Sequence, residues 1–177
     1  MKKYQVLIVV AIALLLCACG GNKEEPAGQG RSDQGVNEQG VGFNVTGDSI
    51  EEAQNVPAAE KEQILQAFDA YIDVFNNEDI DGYIATLSEH TESFDLDEER
   101  AYMSDEVFSK FDVNREASDV TIVKYAENEA QVFAKLQTSM KELASGLETK
   151  SNGRQVTVFT KDEGDWKVAS VYFILDK

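Results

Sequence analysis

The stretch Val156-Thr157-Val158-Phe159-Thr160-Lys161-Asp162-Glu163-Gly164-Asp165-Trp166-Lys167-Val168 sets two β-rich runs on either side of a short acidic turn that contains a glycine. Alternating apolar and polar residues mark each run as a strand with one face buried, and the Glu-Gly-Asp turn between them marks a hairpin. The strands are expected over Gln155–Lys161 and Trp166–Leu175. Working towards the N-terminus, a polar, Gly-containing loop is expected from Lys141 to Gly153. Before it, Val120–Ala126 and Ala130–Met140 are again β-branched and alternating, joined across Glu127-Asn128-Glu129. Four strands joined by short turns make an antiparallel meander.

Upstream of Asn114 the period changes from two to between three and four. Ile64, Leu65, Phe68, Tyr71, Ile72 and Phe75 form an apolar stripe along a helix, with Asn55 expected as its N-cap and Pro57 in its first turn. Asn76 and Asn77 end it. Asp79 is placed to cap a short second helix carrying Ile80, Tyr83, Ile84 and Leu87. After a polar link holding Phe94 and Leu96, Tyr102, Met103, Val107, Phe108 and Phe111 predict one broken helix or two short ones from Asp97 to about Phe111. Helices followed by a meander give the α+β class, with the N-terminal helices packed on one face of a curved antiparallel sheet.

Two parts of this stretch, Ala67-Phe68-Asp69-Ala70-Tyr71-Ile72-Asp73-Val74-Phe75-Asn76-Asn77-Glu78-Asp79-Ile80-Asp81-Gly82-Tyr83 and the final hairpin with Asp165-Trp166-Lys167-Val168, resemble NTF2-like (SnoaL-like, ketosteroid-isomerase-like) domains. The resemblance implies an NTF2-like or cystatin-like cone, a curved sheet wrapped on helices with a pocket at its wide end. It also implies candidate chemistry. In ketosteroid isomerases of this superfamily a tyrosine on the first helix donates to a developing enolate, and an aspartate after the second helix shuttles the proton. Aligned on the opening motif without gaps, these fall on Tyr71 and Asp95. His90, the sole histidine, pairs on paper with Asp95 or Arg100, as in dehydratases of the superfamily.

The residues also have ordinary readings, and these weigh more. Tyr71 lies on the apolar stripe, Asp95 stands in a solvated acidic run from Glu89 to Glu99, and Val132, Phe133, Ala134, Leu136 and Thr138 offer no second strand acid. Phe68, Phe75, Tyr83, Tyr102, Trp166 and Tyr172 are candidates for packing or for lining the pocket. One histidine excludes a multi-histidine metal site, and the acidic run lacks the spacing and central glycine of an EF-hand loop, so no metal and no cofactor are expected.

The N-terminus carries its own signal. Lys2 and Lys3 precede an unbroken apolar run from Val6 to Leu16, which ends in Leu16-Cys17-Ala18-Cys19. A cationic start, a short apolar region and a small residue before the cut site define a secretory signal, and the run is too short to span the roughly 30 Å hydrocarbon core. The tetrapeptide resembles a lipobox of bacterial lipoproteins. That resemblance implies cleavage before Cys19 and its acylation, hence lipid anchoring in a bilayer on the extracytoplasmic side of the bacterial envelope. Residues 1–18 are then a signal peptide, and 19–56, rich in Gly, Gln, Asn, Ser and Glu, a disordered tether about 30 Å in coil dimension. Residues 57–177 form the folded domain. Without Lys2 and Lys3 the chain holds 14 basic and 33 acidic residues, a net charge of −19, which argues against nucleic acid as a partner. No Gly-rich phosphate loop or nucleophile elbow occurs.

The sequence therefore leads us to expect a membrane-anchored lipoprotein that presents a non-catalytic module. Its partners would be a small apolar ligand, a second copy, or an envelope protein seated on the sheet face through the aromatic last strand. The alternative is a cone-pocket isomerase or dehydratase using Tyr71, Asp95 and His90.

Overall fold

The computed structural model describes residues 50–91, 93 and 95–176. The signal segment, Cys19 and most of the tether lie outside the described residues. Within them the order is α1 (Ala58–Asn76), α2 (Ile80–Ala85), α3 (Leu96–Tyr102), a π-helical turn (Met103–Phe108), then β1 (Phe111–Ala126), β2 (Glu129–Glu142), β3 (Glu148–Asp162) and β4 (Asp165–Leu175). The strands form one antiparallel sheet in the order β1-β2-β3-β4. Register irregularities between Ser118 and Thr121, between Ile122 and Lys124 on β1, and between Val158 and Phe159 on β3 bend it, since each unpaired residue adds local twist. Helices on one face of a curved meander are the architecture the sequence implied. Among the described residues no helix is long and apolar enough to cross a membrane.

Helix α1 buries Ile64, Phe68, Tyr71, Ile72 and Phe75, the stripe read from the sequence. These side chains meet Ile122, Ala130, Val132, Ala134, Leu136, Phe159 and Val168 from the inner face of the sheet. The helix starts later than expected. Pro57 takes the N-cap position without a side-chain cap, and Asn55 stands at φ 63°. Proline disfavours helical geometry in the residue before it, so Val56 cannot open a helix capped by Asn55, and asparagine tolerates the left-handed conformation instead. At the other end Asn77 donates to the Asp73 carbonyl at 2.8 Å. Asp79 caps α2 by accepting from the Gly82 N–H at 3.0 Å. A Cβ at position 82 would lie 2.4 Å from the Asp79 carboxylate, so this tight cap requires glycine.

The strands run longer than their apolar patterns. β1 begins at Phe111 rather than Val120. The loop expected from Lys141 to Gly153 is mostly strand, with the turn confined between Glu142 and Glu148. Its pairs are polar, such as Ser139 with Lys150 and Gln137 with Asn152. Backbone ladders need no apolar side chains, so a ribbon wet on both faces leaves no hydrophobic period to read.

Two contacts fasten β1 on its open edge. The Asn76 side-chain amide donates to the Arg115 carbonyl at 2.9 Å and accepts from the Arg115 N–H at 2.8 Å, occupying the place of a missing neighbour strand. Further along, the Ala53 N–H donates to the Ile122 carbonyl at 2.7 Å, and Ala53 and Val56 pack against the core. The packed chain thus includes residues ahead of Pro57.

A third fastening joins the start of α1 to the last hairpin. Glu60 accepts from Lys161 Nζ at 2.7 and 2.9 Å and from the Trp166 indole N–H at 3.0 Å, while Lys161 lies 5.2 Å from the centre of the indole ring. These donors, Lys161 first and Trp166 second, hold the Glu60 carboxyl below its ordinary value of 4.5. A carboxyl lowered in the folded state stabilises the fold above its unfolded pKa, and that contribution is lost as pH falls through the folded value. Denaturant midpoints of the natural chain are therefore expected to fall on acidification below the ordinary glutamate range. Glu60→Gln should be less stable than the natural chain at pH 7 and lose less on going to pH 3. An equal acid sensitivity in the two proteins would remove Glu60 from this role.

Candidate functional site

The inner end of α2 projects Tyr83 into the helices. Its hydroxyl donates to Glu99 Oε1 at 2.8 Å. Its ring lies 5.8 Å from that of Tyr71 and 6.0 Å from that of Phe75, and Phe75 in turn meets Phe108 edge-on at 5.4 Å. The Arg115 guanidinium sits 3.5 Å from the centre of the Phe75 ring, a cation–π contact. Glu99 brings an acid and Arg115 a cation to this aromatic cluster. Burial first, then the Tyr71 and Glu99 oxygens, push the Tyr83 hydroxyl far above its ordinary pKa. It is therefore a fixed neutral donor, well suited to hold a hydrogen bond and poor at releasing a proton near pH 7.

Tyr71 and Asp95 take different roles. Tyr71 is buried on α1 beside Tyr83. Asp95 is exposed and caps α3, its Oδ1 accepting from the Asp97 and Glu98 N–H groups at 3.1 and 3.0 Å. A carboxylate engaged by two backbone amides is oriented along the helix axis. The pairing suggested by alignment is not visible as a contact between the two residues.

His90 is exposed, and its backbone N–H donates to Ser88 Oγ at 3.1 Å. Ser88 is wholly buried and donates to Asp162 Oδ2 at 2.6 Å. Leu87 pairs with Val168 in a parallel bridge, and Thr91 Oγ1 donates to the Ala169 carbonyl at 2.6 Å. These contacts lash the segment after α2 alongside β4. Beside it opens a cavity of about 520 Å³, with Ile84, Leu87 and Leu96 as apolar lining. Around them stand His90, Arg100 and Lys167 among Asp81, Glu89, Asp162, Glu163 and Asp165. Both lysine and arginine are engaged there: Arg100 pairs with Asp81, and Lys167 Nζ donates to the Ala85 carbonyl at 2.8 Å. Among the described residues no three His, Cys, Asp or Glu side chains converge as metal ligands.

Of the remaining candidates, Phe68, Phe75, Tyr83 and Trp166 are core. Tyr102 and Tyr172 are not; they are 57% and 49% exposed. The helix turns π-helical just after Tyr102, and Met103 takes the buried place instead. Sequence reasoning missed Glu99, Arg115 and the Ser88–Asp162 bond, whose partners stand 16 to 74 positions apart in sequence. It also missed the buried pair Gln155 and Thr157 on the inner sheet face, where Gln155 Nε2 donates to Thr157 Oγ1 at 2.8 Å.

Residues 66–173 match the family profile described as anti-sigma-I factor RsgI9, C-terminal domain. The chain belongs to that family. No curated protein matches it. Solved structures share the fold of this RsgI9 C-terminal-domain member. A ketosteroid isomerase-like protein from Erwinia carotovora atroseptica is 22% identical with a TM-score of 0.57, over 68% of this chain and 99% of that one. An NTF2-like superfamily protein from Salmonella enterica serovar Typhimurium has a TM-score of 0.59 at 13% identity, over 66% and 91%. A hexachlorocyclohexane dehydrochlorinase from Novosphingobium barchaimii reaches 0.59 at 6% identity, over 67% and 88%. The fold is NTF2-like.

The geometry assigns Asp95 to a helix cap and Tyr83 to a buried hydrogen bond. Asp95→Ala is expected to cost about 1 kcal/mol of stability, the usual value of an N-cap. Tyr83→Phe is expected to cost about 1 kcal/mol for the lost bond to Glu99. Urea unfolding reads both, and an Asp95→Ala protein as stable as the natural one would sink the capping role.

Proposed function

We propose that the mature chain is an extracytoplasmic lipoprotein, anchored in a bilayer through acylated Cys19, whose NTF2-like domain is a non-catalytic binding module. The observation that carries the binding reading is the end of β4. Tyr172, Phe173, Ile174 and Leu175 are each 46–59% exposed, four large apolar residues in a row on an edge strand, with both side-chain faces represented. Monomeric proteins seldom leave such a run wet, and edge strands with apolar faces are natural seats for another chain. Leu143 and Leu147, also exposed, add apolar surface at the turn between β2 and β3. The family description names a domain of an anti-sigma factor, which agrees with a recognition role rather than turnover. Anchoring rests on the lipobox sequence and on the requirement of more than one acyl chain for stable attachment.

A second reading, a cone-pocket isomerase or dehydratase, has the 520 Å³ cavity in its favour, with His90 and Arg100 on its wall. The carboxylate that the resemblance suggested for it, Asp95, is committed to a cap, which weighs against that pairing.

Native mass spectrometry of the full chain reads self-association and retained ligand together, and pull-down from membranes reads a heterologous partner. The double substitution Ile174→Ser and Leu175→Ser should weaken association at least about tenfold, because each side chain removes one to two kcal/mol of apolar burial. Its melting temperature should change little, both side chains being half exposed. A chain that shows no partner, no second copy and no ligand by either method would sink the module reading. For the anchor, Cys19→Ser should abolish acyl mass on the chain and shift it out of the membrane fraction; unchanged partition would refute lipidation at that residue.

A further inference from the structure

Strand β4 closes one side of the sheet, and its outer edge is occupied over only part of its length. The Ser88 N–H donates to the Val168 carbonyl and the Val168 N–H to the Thr86 carbonyl, both at 2.8 Å, and Thr91 Oγ1 donates to the Ala169 carbonyl at 2.6 Å. Beyond Ala169, no bond to that edge is made among the described residues. The register against β3 runs without a break from Ser170 to Leu175, and the Asp176 N–H donates back to the Asn152 carbonyl at 2.9 Å. Successive strand residues turn their backbone groups to opposite edges. Tyr172, Ile174 and Asp176 therefore face β3, while Val171, Phe173 and Leu175 turn their N–H and C=O groups outward. These open groups lie in the half-exposed apolar run Tyr172–Leu175. The Phe173 ring is set against Gly153, where an added Cβ would come within 2.3 Å of it.

We propose that a second copy of this chain adds to that edge, β4 against β4 and antiparallel, about a two-fold axis at Phe173. The inference rests on the reading of the β4 end as a binding seat, and it names the partner and the register. Its ground is self-complementarity. With Phe173 opposite the partner's Phe173, Val171 meets the partner's Leu175 on the helix side of the sheet, and Tyr172 meets the partner's Ile174 on the other. The outward N–H groups of Val171, Phe173 and Leu175 each gain a carbonyl. The run holds no charged side chain, so like charges do not stand directly opposite one another within it, where they would destabilise the pair. Moving the axis to Tyr172 would set Ser170 against the partner's Ile174 and shorten the apolar contact. Half of each large side chain amounts to roughly 100 Å², so the four on each copy bury about 800 Å² in all. That lies below the roughly 1,200 Å² of a standard interface, so the dimer is reversible. Each chain carries a net charge of −17. Long-range repulsion therefore opposes pairing, and added salt strengthens it by screening.

The test uses the full-length chain and opposite charges at the axis. Analytical ultracentrifugation should show a monomer and a dimer whose ratio follows concentration and shifts to dimer with salt. Hydrogen exchange should show the peptide holding Val171–Leu175 gaining protection as the dimer forms. Phe173→Lys and Phe173→Glu each set like charges opposite one another and should weaken association at least about tenfold; mixing the two variants should restore a heterodimer. Phe173→Thr keeps strand propensity without the ring and should weaken association about tenfold as well, which decides the matter if a charged variant does not fold. Dimers indifferent to all three substitutions, or charged variants that stay monomeric when mixed, would overturn the pairing. A natural chain that is monomeric at every concentration would overturn it too. If that monomer still captures another protein through Ile174 and Leu175, the binding reading stands without the second copy; if it captures nothing and retains no ligand, both fall.

Discussion

Everything in the described domain hangs on one apolar seam, the α1 stripe of Ile64, Phe68, Tyr71, Ile72 and Phe75 seated on Ile122, Val132, Ala134, Phe159 and Val168. The chain's two cysteines stand at positions 17 and 19, so no disulfide reinforces the fold. Among the described residues this interface is where the helices and sheet exclude water from each other, and apolar burial is the main favourable term available to them. The sheet bends at its bulges so that strands longer than the helix can still wrap around it.

The seam fixes which faces meet, and polar contacts fix how they are set. Glu60 ties the start of α1 to Lys161 and Trp166 on the last hairpin. Asn76, at the end of the same helix, ties into the β1 backbone at Arg115. A helix held at both ends by directional bonds cannot slide along the groove, whereas the seam alone would tolerate a shift. Ser88 and Thr91 do the same for the segment after α2, binding it to Asp162 and to β4.

The same economy accounts for the two residues picked out by the ketosteroid-isomerase resemblance, which both have structural contacts here. Asp95 satisfies two amides that a helix start leaves without partners, and Tyr71 fills space beside Tyr83. A carboxylate engaged in this way is turned towards the backbone of α3. Among the described residues, apolar surface faces outward at the wet end of β4 and at the turn between β2 and β3.

Sequence alone determined the helix stripe, the Asp79 cap, the final hairpin with Trp166 in the core and the α+β class, because each is written in side-chain periods or turn residues close together in the chain. It misplaced the start of α1, where the restraint Pro57 puts on Val56 outweighed the capping preference of Asn55. It also missed the polar ends of the strands, whose ladders are made by backbone and leave no side-chain pattern. Only tertiary structure could join Tyr83 to Glu99, Arg115 to Phe75 and Ser88 to Asp162. Those pairs are made by the crossing of helices over a bent sheet, and the distance between such residues is set by the fold rather than by their separation in sequence.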